Sequence, residues 1–454
     1  MPTDERRLRL VLAACAMAMF ATNLDFFALQ PALPDMARDF DAPTTNIQWV
    51  ISGYMLALGA FLIPGGRVGD ILGRKRMLIV GLAIFGVTSL VCGLAPSDEV
   101  LIAFRVLQGL GAAMLFPISV AVITNAFPPE RTKRAIGNLY GLAAVATALG
   151  PFVGGALTKA LDWRAVLLIN IPIALIAIGL ALRSVEESRD DSVPRTIDVP
   201  GLLAIVTGIS AVTFAVDRGE SWGWTSAATL ATFALGVAAL LAFIAIERRV
   251  PWPLVDLKLF GNRPYVLVTA LGTVANVAFV AAMFAITLYL QEARGYSPLE
   301  AGLIFIASSA MAAVAGPLSG RLAERFDVPA LMATGTAIGA AGLFVVSLVT
   351  DLWIFVPALA VFGLGYSIGW VLSSIGTQTV VAPERAGEAS GVTLAILVGV
   401  AGLFVAVAAT AIELVAQGGT GLGTAVEEVL RALAIGSGVL ALALMLLRRA
   451  VARA

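Results

Sequence analysis

The sequence predicts an all-α integral membrane protein with fourteen spanning helices, and three observations predict it. Hydrophobic residues make up 59% of the 454 residues and charged residues only 13%, with a mean hydropathy of +0.93. A soluble domain of this length carries about a quarter charged residues to cover its surface, so lipid is expected to meet most of this exterior. Apolar runs near the 20 or so residues that a helix needs to cross hydrocarbon recur along the chain, and the basic residues sort to alternate breaks between them.

Taken in order, the apolar runs predict spans at 8–30, 47–65, 77–95, 99–123, 135–160 and 164–182. After a polar stretch come 199–216 and 226–246, then 265–290, 299–320, 329–349, 352–376, 388–413 and 430–447. The first run needs care, because Arg6, Arg7 and Arg9 followed by Leu12-Ala13-Ala14-Cys15 imitate a lipoprotein signal. Only five apolar residues separate Arg9 from Cys15, short of the roughly 7–15 of a signal's apolar core, and the run continues to Leu24. An uncleaved first helix is expected. The pair 199–216 and 226–246 could lie peripherally without changing the parity, but Trp222 and Trp224 between them suit an outer interfacial belt.

Orientation follows from the basic residues of short loops. With the N-terminus cytoplasmic, 23 of the 30 Lys and Arg fall in cytoplasmic segments, 6 fall outside, and Arg105 is inside a helix. Both termini are therefore expected in the cytoplasm. Zero net charge gives no argument for nucleic acid, and the absence of His removes imidazole zinc sites, His triads and His proton relays. Cys15 and Cys92 sit in apolar runs, so no disulfide framework is expected. No metal site and no cofactor are expected either. The 26 Arg against 4 Lys hint at a GC-rich bacterial genome.

A shift of 254 positions aligns three features in one frame. Gly66-Arg67-Val68-Gly69-Asp70 meets Gly320-Arg321-Leu322-Ala323-Glu324, Gly109-Leu110-Gly111 meets Gly363-Leu364-Gly365, and Pro129-Glu130-Arg131 with Gly137 meets Pro383-Glu384-Arg385 with Gly391. The implied plan is an N-terminal six-helix bundle (1–182), a polar cytoplasmic linker (183–198), an inserted helix pair with its connector (199–263) and a C-terminal six-helix bundle (264–454). Parallel six-helix repeats holding substrate between them near mid-membrane are a transporter architecture.

The motifs make the resemblance specific. Gly65-Gly66-Arg67-Val68-Gly69-Asp70-Ile71-Leu72-Gly73-Arg74-Lys75-Arg76, between the second and third spans, resembles the signature loop of the major facilitator superfamily, where it gates the outward-facing state. Its glycines allow a tight turn and close helix approach, Asp70 can pair with a nearby Arg, and Arg74, Lys75 and Arg76 would hold the loop in the cytoplasm. Ile71 stands where the family usually has a basic residue. The fourth span, 101–113, resembles that of proton-coupled members. The run 144–157 is similar to the fifth-helix antiporter motif, with Gly150, Pro151, Gly154 and Gly155 as its core and Ala146 in place of the usual leading Gly. The corresponding second-half residues are Phe404, Val405, Ala408 and Ala409, so this motif occurs once. Residues 162–172 match the family's start of helix six, and Asp198 with Gly201 its start of helix seven. The chain thus resembles the drug:proton antiporters with fourteen spanning helices. The resemblance implies the major facilitator fold and a proton-coupled antiporter that exports small lipophilic or cationic compounds by alternating access.

The residues point to a proton site as well. Asp25 is the one acid deep within any predicted span, and Arg105 is a charge inside another, costing about 2.5–3.5 kcal/mol unless paired or hydrated. Counted at 1.5 Å per residue, both lie about 9–13 Å below the outer surface, which suggests a coupled pair. Glu413, near the outer end of span thirteen, is a second acid, read as a solvated interfacial residue. Phe26, Phe27, Gln30, Tyr54, Asn276, Phe279, Tyr366 and Trp370 form a candidate substrate surface, aromatic with sparse polar groups, although aromatics in helices also serve as packing. Phe26 and Phe27 are larger than the family's usual residues after this Asp. The expected partners are a small-molecule substrate, protons and the lipid bilayer of a bacterial plasma membrane, with the protein a monomer and not an enzyme. Export of a specific metabolite, amino acid or natural product would use the same machinery, and symport, disfavoured by the fifth-helix motif, is a further alternative.

Overall fold

The computed structural model describes residues 2–42, 44–47, 49–189, 198–251, 253–296, 298–382, 385–419 and 421–451. Among them, thirteen helices are long and apolar enough to cross a membrane, and a fourteenth span is a bent pair, Pro129–Thr147 and Phe152–Ala160. The first half holds α1 (Pro2–Leu29), α2 (Trp49–Leu72), α3 (Arg74–Gly93), α4 (Asp98–Ala126), α5 (Pro129–Ala160) and α6 (Arg164–Ser184). The inserted pair is α7 (Val199–Trp222) and α8 (Ala227–Glu247). The second half holds α9 (Arg263–Leu288), α10 (Pro298–Leu322), α11 (Val328–Val346), α12 (Leu352–Val380), α13 (Ala386–Gln417) and α14 (Leu422–Val451).

Helices dominate because hydrocarbon offers no partner to a backbone N–H or C=O, and a helix satisfies both internally. Several starts are capped by side chains that take up an orphan N–H: Ser97 accepts from Val100, Asp198 from Gly201, Ser226 from Thr229, Asn262 from Tyr265 and Asp327 from Ala330. Asp327 also receives the Arg448 guanidinium, and that hydrogen bond holds its carboxyl below the usual carboxylate range.

Packing divides the chain into two compact units, one of Met1–Thr132, Leu149–Gly261 and Val381–Ala395, the other of Lys133–Ala148, Asn262–Val380 and Ile396–Ala454. In the first, Leu29, Met36, Ile47, Val50, Leu101, Trp163 and Leu167 close a core around the α1–α2 connection. In the second, Tyr289, Leu343, Phe355, Leu359, Phe362, Tyr366 and Leu430 form the centre. The inserted pair packs on itself, Gly208 under Leu240 and Gly236 under Val212. It leans on α2 through Trp49 and Phe214, with Arg218 stacked 4.5 Å above the Trp49 ring. Trp222 and Trp224 at its turn are exposed.

The 254-residue repeat recurs in the contacts, atom class by atom class. An added Cβ at Gly109 would strike the Tyr54 carbonyl, and at Gly363 the Ser308 carbonyl. At Gly111 it would press on the Phe85 nitrogen and the Gly81 carbonyl, and at Gly365 on the Gly339 nitrogen and the Gly335 carbonyl. Every contact in one set lies 254 positions from its counterpart in the other. Small residues let these backbones touch where neither lipid nor protein is the more apolar and close packing must supply the attraction.

Two departures from the sequence-based expectation are seen, together with the bend in span five that a Gly150-Pro151 hinge leads one to expect. The stretch from Gly65 to Leu72 is helix rather than loop, since its glycines serve close approach and only Gly73, at φ +111°, leaves the helix. Span six is broken into Arg164–Leu168 and Asn170–Ser184. Span five bends by 43° between Thr147 and Phe152, around the Gly150-Pro151 step, where Pro lacks the N–H of a ladder bond. Residues 190–197 of the linker, Pro383 and Glu384 of the repeat, and the side chains of Pro151 and Glu413 lie outside the described residues.

Gly363→Ala is expected to lower stability by about 1–3 kcal/mol, the cost of overpacking a tight contact. Thermal melting of the detergent-purified protein reads it as a lower midpoint. Gly399→Ala, where an added Cβ meets nothing within 4 Å, is expected to melt with the parent.

Candidate functional site

Asp25 lies in α1 with its residue 1% exposed, and Arg105 in α4 at 0%. The two meet, Arg105 Nη1 to Asp25 Oδ2 at 2.5 Å. The guanidinium also donates through Nε to the Val50 carbonyl at 2.9 Å and through Nη1 to Gln108 Oε1 at 2.7 Å. Its plane stacks 4.3 Å from the centre of the Tyr54 ring. The other carboxylate oxygen, Oδ1, accepts from Asn170 Nδ2 at 2.6 Å and from Gln108 Nε2 at 3.3 Å.

Gln108, Asn170 and Ser89 were not singled out by the sequence reading. Ser89 accepts from both amides at 3.1 Å and donates to the Leu167 carbonyl, so five helices, α1, α2, α3, α4 and α6, join one network: α4 and α6 reach the carboxylate, and α2 and α3 bond to its partners. The signal for Gln108 was its place one turn after Arg105. For Ser89 and Asn170, single polar residues in apolar runs, only the fold supplies the connection. The break in α6 falls at Ile169, immediately before Asn170. Three buried polar atoms around the pair have no hydrogen-bond partner: Tyr54 Oη, Asn170 Oδ1 and Arg105 Nη2. In a dry site such atoms cost free energy; the amide oxygen can accept a hydrogen bond, the guanidinium nitrogen can donate one and the phenol can do either.

The residues beside this site pack tightly. Phe26 meets Phe27 edge-on at 5.0 Å and lies over Tyr54 at 6.2 Å, while Gln30 is exposed. Gly150 leaves room for the Phe27 Cβ, and Gly154 for the Ala28 carbonyl, so the later part of α5 rests on α1 a turn from Asp25. An added Cβ at Gly155 would meet nothing within 4 Å.

A second network surrounds the junction of α2 and α3. Asp70 and Arg74 are both 0% exposed and paired, Arg74 Nη2 to Asp70 Oδ1 at 2.6 Å and Nε to the same oxygen at 2.8 Å. Arg74 is thus a buried partner of Asp70 and not a solvated loop cation. Asp70 Oδ2 caps the start of α13 by accepting the Glu388 N–H at 2.8 Å, favoured by the helix dipole. Gly66 touches the Gly387 carbonyl and Gly69 abuts Ile118. Lys75 donates through Nζ to the Leu182 carbonyl, and Glu187 from the linker accepts the Lys75 and Arg76 N–H groups at 3.0 and 3.1 Å. Gly73 leaves the space that this carboxylate enters. The network continues through Glu388, which takes the Asp256 N–H at 2.7 Å and the Arg385 guanidinium at 3.1 Å, with Arg67 at 3.7 Å. In the other unit the repeat counterpart is lighter: Arg134 pairs with the partly exposed Glu324 at 2.9 Å, and Gly320 rests on Lys133 and Arg134.

The remaining predicted cavity residues belong to the second unit. Phe279 stacks on Phe362 at 5.2 Å, and Phe362 meets Tyr366 edge-on. Tyr366 is fully buried with its hydroxyl 2.7 Å from Ser437 Oγ. Trp370 meets Tyr140 edge-on, and Asn276 Nδ2 donates to the Leu397 carbonyl. Among the described residues no group of three or more acids and cysteines could hold a metal ion.

The family model described as Major Facilitator Superfamily matches residues 15–406. Over 397 residues the chain is 35% identical to the multidrug resistance protein Stp of Mycobacterium tuberculosis, covering 84% of this chain and 72% of that one. It is also 35% identical over 399 residues to the cephamycin export protein CmcT of Amycolatopsis lactamdurans, covering 86% and 81%. Among solved structures, the human organic anion transporter MFSD10 superposes with a TM-score of 0.69 at 15% identity, covering 97% of this chain and 100% of that one, a likeness of fold.

Arg105→Leu strands the Asp25 carboxylate and is expected to cost about 3–5 kcal/mol, the penalty of an uncompensated buried charge. The double substitution Asp25→Leu with Arg105→Leu is expected to recover most of that loss. Melting of the three purified proteins at one pH checks both statements.

Proposed function

The chain belongs to the major facilitator superfamily, and we propose that it is a proton-coupled antiporter exporting small lipophilic or cationic compounds by alternating access. It is a multi-pass membrane transporter and not an enzyme. The observation that carries the reading is the buried Asp25–Arg105 pair, in a site whose remaining polar atoms are not all satisfied. A carboxylate held this way can take a proton, and Arg105 is then left to the Gln108 and Val50 oxygens and to the Tyr54 ring. A cationic cargo reaching the same carboxylate competes with that proton. Each charge moving down the membrane potential contributes about 2.3 kcal/mol per 100 mV, which drives the cargo uphill when the stoichiometry favours it.

In this reading the functional halves are the bundles 1–182 and 264–454, joined by the linker 183–198 and the inserted pair with its connector 199–263. Gly66, Gly69, Asp70, Gly73, Arg74 and Lys75 form the gate. Gly150, Pro151, Gly154 and Gly155 form the bend of α5 that separates antiport from symport. Phe26, Phe27, Gln30 and Tyr54 from one half, with Asn276, Phe279, Tyr366 and Trp370 from the other, line the cargo's path. The protein works as a monomer in a bacterial plasma membrane with both termini in the cytoplasm, the side favoured by the basic loops. The likeness to multidrug resistance and cephamycin export proteins supports export, and its two names bracket the cargo: a range of drugs, or one natural product.

Inside-out vesicles carrying the protein are expected to accumulate ethidium on imposing an acid interior, and to lose the proton-linked fraction with Asp25→Asn. Wild-type coupling in that variant rules the carboxylate out as the obligatory carrier.

A further inference from the structure

The inserted pair ends, beside the gate network, in two acids that the transport reading does not use. Asp198 caps α7, its Oδ1 accepting the Gly201 N–H at 3.0 Å. Glu247 closes α8, its Oε2 accepting the Val255 N–H at 3.1 Å. The residues are 9% and 5% exposed. Each carboxyl has one oxygen without any partner, Asp198 Oδ2 and Glu247 Oε1, and both are buried. The two oxygens converge on one niche, left open by Gly201. A Cβ there would lie 2.7 Å from Glu247 Oε1 and closer still to Asp198 Oδ2. With both oxygens this near one point, they are close enough for each carboxylate to oppose ionisation of the other.

No base neutralises the niche among the described residues. The charged groups that bear most on Glu247 are Asp198 and Glu388, both acids. Arg248 and Arg249, next after Glu247, are exposed, and the more buried cations are engaged: Arg385 with Glu388 and Asp256, Arg67 with the Pro253 carbonyl and Glu388, and Arg74 with Asp70. Two buried carboxylates facing each other with no cation would repel and leave two acceptors empty. One proton removes both problems, because a carboxyl donates where a carboxylate only accepts.

We propose that Asp198 and Glu247 form a proton-binding site, one proton shared between Asp198 Oδ2 and Glu247 Oε1 at the foot of the inserted pair. The bound proton makes Glu247 Oε1 or Asp198 Oδ2 the donor in a carboxyl–carboxylate hydrogen bond, and its loss leaves two like charges. Glu247 also holds the Val255 N–H, and the next residue, Asp256, gives its N–H to Glu388 at the gate. The occupancy of this site is therefore transmitted to the gate through two adjacent peptide groups. Contact between the pair is present at low pH and is lost as pH rises through the titration of the site.

The test uses the full chain in lipid, in an Asp25→Asn background that removes the carboxyl of the Asp25–Arg105 site. Infrared titration is expected to show a protonated carboxyl band that disappears on raising the pH and is missing in Glu247→Gln and in Asp198→Asn. Gln supplies a permanent donor to Asp198, and Asn keeps the helix cap, so both variants are expected to fold. Melting of the Glu247→Gln protein is also expected to lose the alkaline fall in midpoint that its parent shows. A carboxyl band that persists unchanged in both folded variants overturns the proposal, as does an alkaline fall of wild-type size in Glu247→Gln. Neither result touches the role of Asp25, which the vesicle assay decides on its own.

Discussion

A polar group inside hydrocarbon must find its partner in the protein, and the rest of this structure follows from where partners are found and where they are not. For Asp25 they come from α4 and α6, three donors on two oxygens, and for Arg105 from a carboxylate, an amide, a carbonyl and an aromatic face. A fully satisfied arrangement of this kind would be a brace and nothing more. What distinguishes the site is the remainder: a phenol, an amide oxygen and a guanidinium nitrogen with nothing to bind. Those groups leave a donor and acceptors that the pair's present arrangement does not use.

The same constraint acts on the backbone, and it explains why the glycines fall where they do. Gly109 with Tyr54, and Gly363 with Ser308, are the same contact made twice, as are Gly66 with Gly387 and Gly320 with Lys133. The scaffold is therefore symmetric to within the repeat, but the charges on it are not. Asp70 is buried against Arg74 and caps α13, while its counterpart Glu324 pairs with the exposed Arg134, and Val328 stands where a second Arg74 would be. Symmetric packing with asymmetric electrostatics gives one junction a larger energy difference between made and broken.

Much of this was legible in the chain itself. Composition and run length set the class and the number of spans, and the repeat set the pairing of helices, because both are imposed by lipid and by backbone approach. Asp25 and Arg105 could be matched by depth alone, each being the one charge deep within its span. What escaped the reading were residues whose meaning is relational. Ser89 and Asn170 are unremarked polar positions until α3 and α6 are set beside α1. Arg74 reads as one of three loop cations until the helix is seen to run on to Leu72, which turns its side chain inward onto Asp70. Glu187 and Asp256 lie in connectors, where sequence offers charge but no address.

The inserted pair is where the constraint is least relaxed. Its outer length could be a passive filler, since α7 and α8 show long runs of exposed Leu, Phe and Val to lipid. Its foot cannot be read that way, because a filler has no use for two buried acids. Compare the two acid groups that lie within a few residues of each other there. Glu388 is surrounded by Arg385, Arg67 and a peptide N–H, so its charge is balanced by neighbours of opposite sign. Asp198 and Glu247 are held by peptide N–H groups, and among the described residues no cation pairs with either. The difference between them is not burial, which is similar, but the source of compensating charge: arginine in the one case, and only a proton in the other.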